Sequence, residues 1–312
     1  MAFSRARDLI VSAQVSLAGL TIDRLTEEQV VAHVLDQLQA GSGGWVGTVN
    51  IDSYRAARRD AELARLLGEA SLLVPDGMPL LWAAWLRGTA LVERVTGASL
   101  ILSLSEAAAR RGRSIYLLGG GPGVAERASV ALCQSYPGLN VVGSDAPPIG
   151  FDATTRGIDA VCEKLVAARP DIVYVGLGFP KQERLITHLA PTLGGSWFVG
   201  CGAAIPFAAG VVPRAPRWMQ QAGLEWLFRL AGEPRRLCRR YLIDDLPFAV
   251  MLLASCAAER LTRRGDGDRL SEVAYGNLEG QSEQLDLISV VRTADPASRV
   301  GVDAGPPGGG AV

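Results

Sequence analysis

At 312 residues, 48% hydrophobic and 20% charged, the chain is long enough to bury a sizeable core and too apolar for a disordered polymer. Its formal charge of -1 at pH 7 excludes a general attraction to nucleic acid. The cysteines, Cys133, Cys162, Cys201, Cys238 and Cys256, are odd in number and never in CxxC spacing, so they suggest neither a disulfide framework nor a zinc site, and a reducing cytosol suits them.

The opening MAFSRARDLIVSAQVSLAGL has a short apolar stretch broken by Asp8 and Gln14 and lacks a clear cleavage site, so it does not read as a signal peptide. VSLAGLTI reads as extended, and Leu25 to Gln39 as a helix with Thr26 as its N-cap and Val30, Val34, Leu35 and Leu38 at helical spacing. WVGTVN is a strand, Ser53 to Ala70 a helix, SLLVPDG a short buried strand and LLWAAWL helical. The alternation continues with helix Ser99 to Arg111, strand SIYLLGG, helix Gly123 to Tyr136, strand NVVGSDA and helix Thr155 to Ala168. Strand DIVYVGLG, helix Lys181 to Leu189 and strand SWFVGCGAA complete it.

Such alternation implies an α/β core of the doubly wound, mainly parallel, Rossmann-like kind over residues 1–213. Residues 214–264 form a basic, helical, amphipathic appendage. The Gly-, Pro- and acid-rich stretch 265–312 has the composition of a disordered tail. The apolar run Leu246 to Ala258 is 13 residues long and contains Pro247. Since about 20 residues are needed to span a bilayer, the appendage reads as lying on a membrane rather than crossing it.

Polar residues interrupt the apolar runs at Thr48 and Asn50 of TVN, Asp76 of VPDGMP and Arg94 of ERVTG. Strand ends are where α/β proteins place their chemistry. Asp76 has no evident capping duty, and in an apolar cleft its pKa would rise toward that of a general base, although an Asx-turn role is the plain alternative. Arg94 has the geometry to meet phosphate, or to be an ordinary surface arginine. Three glycine-rich turns follow strands: GGGPG with Gly119 and Gly120, GLGFPKQE with Gly178, and GCGAA with Gly202. Each lacks the third glycine of the dinucleotide fingerprint, at Val124, Lys181 and Ile205, so they suit anion cradles or plain turns.

Lys181, Gln182 and Glu183 stand at a helix start. Gln182 suits a sugar hydroxyl or acetamido group, and Glu183 suits either the helix dipole or a ligand. His33 and His188 read as structural, and no acidic cluster offers a divalent-metal site. In the basic segment, Arg214, Arg217, Arg229, Arg235 and Arg236 stand among aromatics, which suits an anionic lipid surface or an ordinary amphipathic cap on the core.

TVNIDSY, LLVPDGMPLLW, ERVTGASL, IYLLGGGPGVAE, DIVYVGLGFPKQE, FVGCGAA and GLEWLFRLAGEPRRLCRRYL, in this order over about residues 15 to 255, resemble the WecG/TagA/CpsF glycosyltransferases. The resemblance implies an inverting, cofactor-free transfer from a UDP-sugar, typically of the N-acetylmannosamine type, to a polyprenyl-diphosphate-linked saccharide. It implies Asp76 as base, Thr48 and Asn50 at the sugar-contacting strand end, Arg94 and Gln182 as motif residues, and a basic appendage that completes the site at the inner face of the cytoplasmic membrane. A homo-oligomer is compatible with it. Pro206 stands where many members have an acidic residue, and VNID replaces PNPE, which leaves the donor sugar open. The alternatives are a nucleotide-dependent oxidoreductase and a non-catalytic nucleotide-sugar-binding membrane protein.

Overall fold

A computed structural model describes residues 14–17 and 19–262; the N-terminal segment and the tail read above as disordered lie outside the described residues. Six parallel strands form the sheet, in the order β4-β3-β8-β7-β5-β6: β3 (Gly44–Val49), β4 (Leu72–Pro75), β5 (Ser114–Gly119), β6 (Asn140–Asp145), β7 (Ile172–Gly176) and β8 (Trp197–Gly200). The strands read as continuous apolar runs because both faces are covered. Trp45, Val49, Tyr116, Leu118, Val173, Val175 and Phe198 belong to one buried cluster, and their neighbours Val46, Ile115, Leu117, Ile172, Tyr174 and Val199 to the other. Period two along each strand therefore feeds two cores rather than one core and solvent.

Helices α1 (Glu27–Gln39), α5 (Gly97–Arg111), α6 (Val124–Ser135) and α9 (Ala204–Ala208) cover the second face. The first is covered by α2 (Ile51–Arg59), α4 (Met78–Leu86), α7 (Thr155–Ala168) and α8 (Lys181–Leu189), with α3 (Ala61–Gly68) beside them. Local chemistry sets the boundaries. Thr26 and Thr96 close capping boxes with Gln29 and Ser99, and Gly112 ends α5 in the left-handed conformation.

Two expectations are corrected. VSLAGLTI is not one extended segment but an antiparallel hairpin, β1 (Gln14–Leu17) and β2 (Leu20–Asp23), because Gly19 at φ 100° turns the chain. Its Asp23 accepts the Leu73 backbone N–H at 2.7 Å and so occupies the free edge of β4. The helix expected over Ser53 to Ala70 is two helices, because Asp60 leaves helical geometry and its carboxylate caps α3 through the Glu62 N–H.

After β8, α10 (Arg217–Gln221) and α11 (Glu225–Gly232) lead into a terminal helix, Pro234–Thr262, whose first turns are α12 (Pro234–Cys238) and whose segment Arg239–Asp245 is π-helical. The described residues up to Arg260 form one compact unit. The terminal helix is long and apolar enough to cross a membrane by length and composition, beyond the 13-residue run read from sequence, because it continues through Pro247. Here it packs on the core. Phe248 meets Tyr54 with ring centroids 6.0 Å apart, Leu252 and Cys256 are buried beside it, and Asp245 accepts from Arg55 at 3.1 Å.

The connection from β5 runs outward to β6 through α6 on one face, and that from β7 runs to β8 through α8 on the other. The topological switch point, where ligands of such sheets bind, therefore lies between the carboxyl ends of β5 and β7. Gly119 (φ 119°) is there, where an added Cβ would stand 2.4 Å from the Gly176 carbonyl oxygen. Gly119→Ala is expected to cost about 2–4 kcal/mol through strain and overpacking. Gly112→Ala, also at positive φ but with open space around it, should cost only about 1 kcal/mol. Urea midpoints at unchanged m-value compare the two; equal losses would mean that the close approach of the turns is unimportant.

Candidate active site

The carboxyl edge of the sheet gathers the polar residues found at the ends of apolar runs. Asp76 follows β4 directly, and its backbone N–H donates to the Val49 carbonyl at 2.7 Å, holding the turn against the end of β3. Gly77, not Asp76, precedes α4, and no side chain caps that helix, so the carboxylate is free of capping duty. It accepts instead from the Gly97 N–H at the start of α5. That N–H is placed by a close approach in which a Cβ on Gly97 would lie 2.7 Å from the Cys201 Cα, so α5 begins hard against the end of β8.

Asp76 is enclosed on most sides, and desolvation pushes its pKa up to about 7, with Glu225 raising it further while Arg94, the Gly97 N–H and Arg229 oppose the rise. A carboxyl poised near neutrality is suited to exchanging a proton with a hydroxyl.

Arg94 is placed differently from the expectation that it faces phosphate. Its guanidinium donates to Glu225 at 3.0 Å and to the Gln220 carbonyl at 3.2 Å, and the Val95 N–H pins the segment to the Pro75 carbonyl at 2.9 Å. Arg214, expected either at a membrane or on a cap over the core, also turns inward, donating to the Ala98 carbonyl at 3.3 Å and lying 3.7 Å from the other Glu225 oxygen. Glu225 is thus held between two arginines and fastens the basic segment to the core. Arg229, four residues on, turns inward as well, with its guanidinium 5.7 Å from the Phe207 ring centroid and a buried Nε that lacks a hydrogen-bond partner. Among the described residues no carboxylate forms an ion pair with it, so it is a cation at the cleft with capacity for an anion. The sequence left it between a lipid surface and a cap on the core; the clue to its place was the i, i+4 spacing from Glu225. Arg217, Arg235 and Arg236 remain exposed, Arg236 paired with Glu233.

Thr48 donates its hydroxyl proton to the Gly200 carbonyl at 2.8 Å, joining β3 to β8 and leaving the oxygen to accept from a ligand. Asn50 caps α2: its Oδ1 accepts from the Asp52 and Ser53 N–H groups at 3.1 Å, which leaves the amide N–H donors for a ligand. Gln182 is only 4% exposed and does not face the cleft as expected for a sugar contact. Its Oε1 accepts from the Gly178 and Gly202 N–H groups at 3.2 and 3.1 Å, and its Nε2 donates to Glu183 at 2.8 Å. It is a strut that fixes two glycine turns against each other. Glu183, 2% exposed, is neither a dipole partner at the surface nor an open ligand contact, and burial pushes its pKa up to about 7.

Lys181 pairs with Asp152 at 2.9 Å and lies over Phe151, away from Asp76. Gly119 and Gly120 pack tightly on Gly176 and Ile205, whereas Gly178 and Gly202 have positive φ and open space beside them. A separate cavity of about 400 Å³, lined by Asp145, Phe151, Arg156, Gly157 and Lys164, lies beyond the end of β6 at the sheet edge opposite β4. The chemistry belongs with Asp76, where a perturbed carboxyl, an unpaired guanidinium and free donors converge, rather than with that separate cavity.

The glycosyl transferase WecG/TagA/CpsF family model matches residues 15–263. The chain is 27% identical over 219 residues to the N-acetylglucosaminyldiphosphoundecaprenol N-acetyl-β-D-mannosaminyltransferase of Bacillus subtilis (strain 168), covering 70% of this chain and 82% of the relative. It is 28% identical over 217 residues to the protein of the same name from Bacillus spizizenii (strain ATCC 23059 / NRRL B-14472 / W23), covering 69% and 81%. The chain belongs to the WecG/TagA/CpsF family and is a glycosyltransferase.

The raised pKa of Asp76 has a stability consequence. Below its ordinary value of 3.8 the carboxyl is neutral folded or unfolded; as pH rises to about 7 the unfolded chain ionises first, so native stability falls across that window. An Asp76→Asn variant lacks this loss. Denaturant unfolding should find it more stable than the parent above pH 7, by on the order of a few kcal/mol, with the difference vanishing near pH 4. A pH-independent difference would mean that Asp76 is not desolvated.

Proposed function

We propose that this family member transfers an N-acetylmannosamine-type sugar from a UDP-sugar to a polyprenyl-diphosphate-linked N-acetylglucosamine at the inner face of the cytoplasmic membrane. The observation that carries the reading is the pairing of a carboxyl near neutrality, Asp76, with an uncommitted guanidinium, Arg229, in one cleft. The names of the two Bacillus relatives supply the sugar and the acceptor class.

In this mechanism the Asp76 carboxylate takes the proton of an acceptor hydroxyl. The freed oxygen bonds to the anomeric carbon from the face opposite the nucleotide, and the bond to the β-phosphate oxygen breaks with its electron pair leaving on UDP. Configuration is therefore inverted. Arg229, beside the Gly178 and Gly202 turns that Gln182 holds in place, meets the charge that grows on the diphosphate. Thr48 and Asn50 position the sugar, Gln182 holds the turns, and Arg94 keeps the basic segment over the cleft through Glu225. No step calls for a cofactor or a metal ion. Cell-surface polysaccharide assembly is the setting this reaction fits.

The dinucleotide oxidoreductase and the non-catalytic binder lose their footing with family membership, and the missing third glycines weigh further against the former.

Transfer from a panel of UDP-sugars to a polyprenyl-diphosphate N-acetylglucosamine tests the reading directly, and absence of product with every donor would overturn it. Asp76→Asn is expected to lower kcat by roughly 10²–10⁴ with little change in donor affinity. Arg229→Ala should lower it by about 10²–10³, and parental kcat should rise with pH through about 7 as Asp76 ionises. A flat pH profile with undiminished Asn-variant turnover would remove Asp76 as base.

A further inference from the structure

Helix α4 has no charged residue along its sequence MPLLWAAWL, although it lies at the surface. Leu80, Ala83 and Ala84 are buried in the core, while Trp82 and Trp85, three residues apart on the outer side, are 44% and 63% exposed. Two tryptophans so exposed on a helix already anchored by its other face are not explained by packing. Trp is the side chain that prefers the boundary between water and lipid, where its ring is buried and its N–H stays wet.

The surroundings extend the same surface. The Trp85 carbonyl accepts from Arg260 at 3.3 Å, and Arg87 pairs with Glu259 at 2.9 Å, so the end of α4 abuts the far part of the terminal helix. That helix exposes Leu242, Leu246, Val250 and Met251 while burying Phe248 and Leu252. At the other end of α4, Gly223 lies so close to Met78 that a Cβ would stand 2.4 Å from its Cγ, which brings the turn between α10 and α11 over the start of the helix. Exposed Arg235 and Arg239 stand at the head of the terminal helix, about two turns and one turn before Leu242. An apolar, tryptophan-bearing surface with cations at its border fits an anionic phospholipid surface better than a neutral one.

We propose that α4 is a second membrane contact, in which Trp82 and Trp85 seat at headgroup level of an anionic bilayer beside the outer side of the terminal helix. This rests on the membrane-associated reading above and adds to it a contact made by the catalytic core itself. Asp76 lies two residues before α4, separated from it by Gly77. Seating this helix along the lipid surface therefore holds the base close to that surface, within reach of a sugar carried on a membrane-held diphosphate.

The test uses the full chain with vesicles of mixed phosphatidylcholine and phosphatidylglycerol, comparing the parent, Trp82→Ser/Trp85→Ser and Arg235→Glu/Arg239→Glu. The parent should sediment with vesicles in low salt, and the tryptophan variant should bind roughly tenfold or more weakly. The same variant should keep parental turnover on a short-chain, water-soluble acceptor and lose it on a vesicle-embedded one. Circular dichroism and unfolding midpoints establish that it is folded. Failure of the parent to bind vesicles would overturn the membrane reading as a whole. Parental binding matched by the tryptophan variant, with only the arginine variant weakened, would overturn the α4 proposal alone. A fall in molar mass by light scattering on loss of the tryptophans, with vesicle binding intact, would overturn it in favour of a contact between copies of the chain.

Discussion

The site depends on one partly buried ionic arrangement: Glu225 held between Arg94 and Arg214. Arg94 belongs to the segment that returns along the end of β4, and Glu225 to a helix more than a hundred residues later. Their contact converts a C-terminal stretch of helices into a wall of the catalytic cleft. Removing a single member would leave charge in a poorly hydrated place, so the arrangement is more costly to break than a surface pair would be. It also directs Arg229 inward, because Glu225 and Arg229 share one side of a helical turn.

The same economy of charge shapes Asp76. Enclosure alone would keep the carboxyl protonated, and the α5 N-terminus and nearby guanidinium groups alone would keep it ionised. Balance between them leaves it close to neutrality, where a base is strong enough to accept a proton and still ionised enough to act. Another carboxyl, the buried Glu183, has a comparable shift without a comparable opening, and it acts on the glycine turns through Gln182. Perturbation alone does not mark a catalytic group; access does.

Much of the fold was legible in the sequence because both-face burial writes itself as unbroken apolar runs, and because Thr26, Thr96 and the glycines are local signals. The hairpin at Gly19 and the break at Asp60 were missed because each depends on one residue inside a pattern that otherwise reads through. Within the site, Asp76 was legible from its position between Pro75 and Gly77, where capping offers no explanation. The placement of Arg94, Arg214, Gln182 and Arg229 was not, since each is decided by a partner distant in sequence or by burial that composition cannot convey. Basic residues clustered in sequence proved to face two ways, some into the cleft and some to solvent.

The π-helical segment Arg239–Asp245 carries a consequence of its own. A wider turn shifts the phase of everything downstream by about one residue, roughly 100°. That offset lets a single rod present Leu237 to the core before it and Phe248, Leu252 and Cys256 to the core after it, while Asp245 reaches Arg55. Excision of one residue there would restore regular winding and rotate the distal half away from its seat, although composition and hydropathy would scarcely change. The segment is a register key: it makes the order of residues, rather than their apolar content, decide which side of the helix faces the protein.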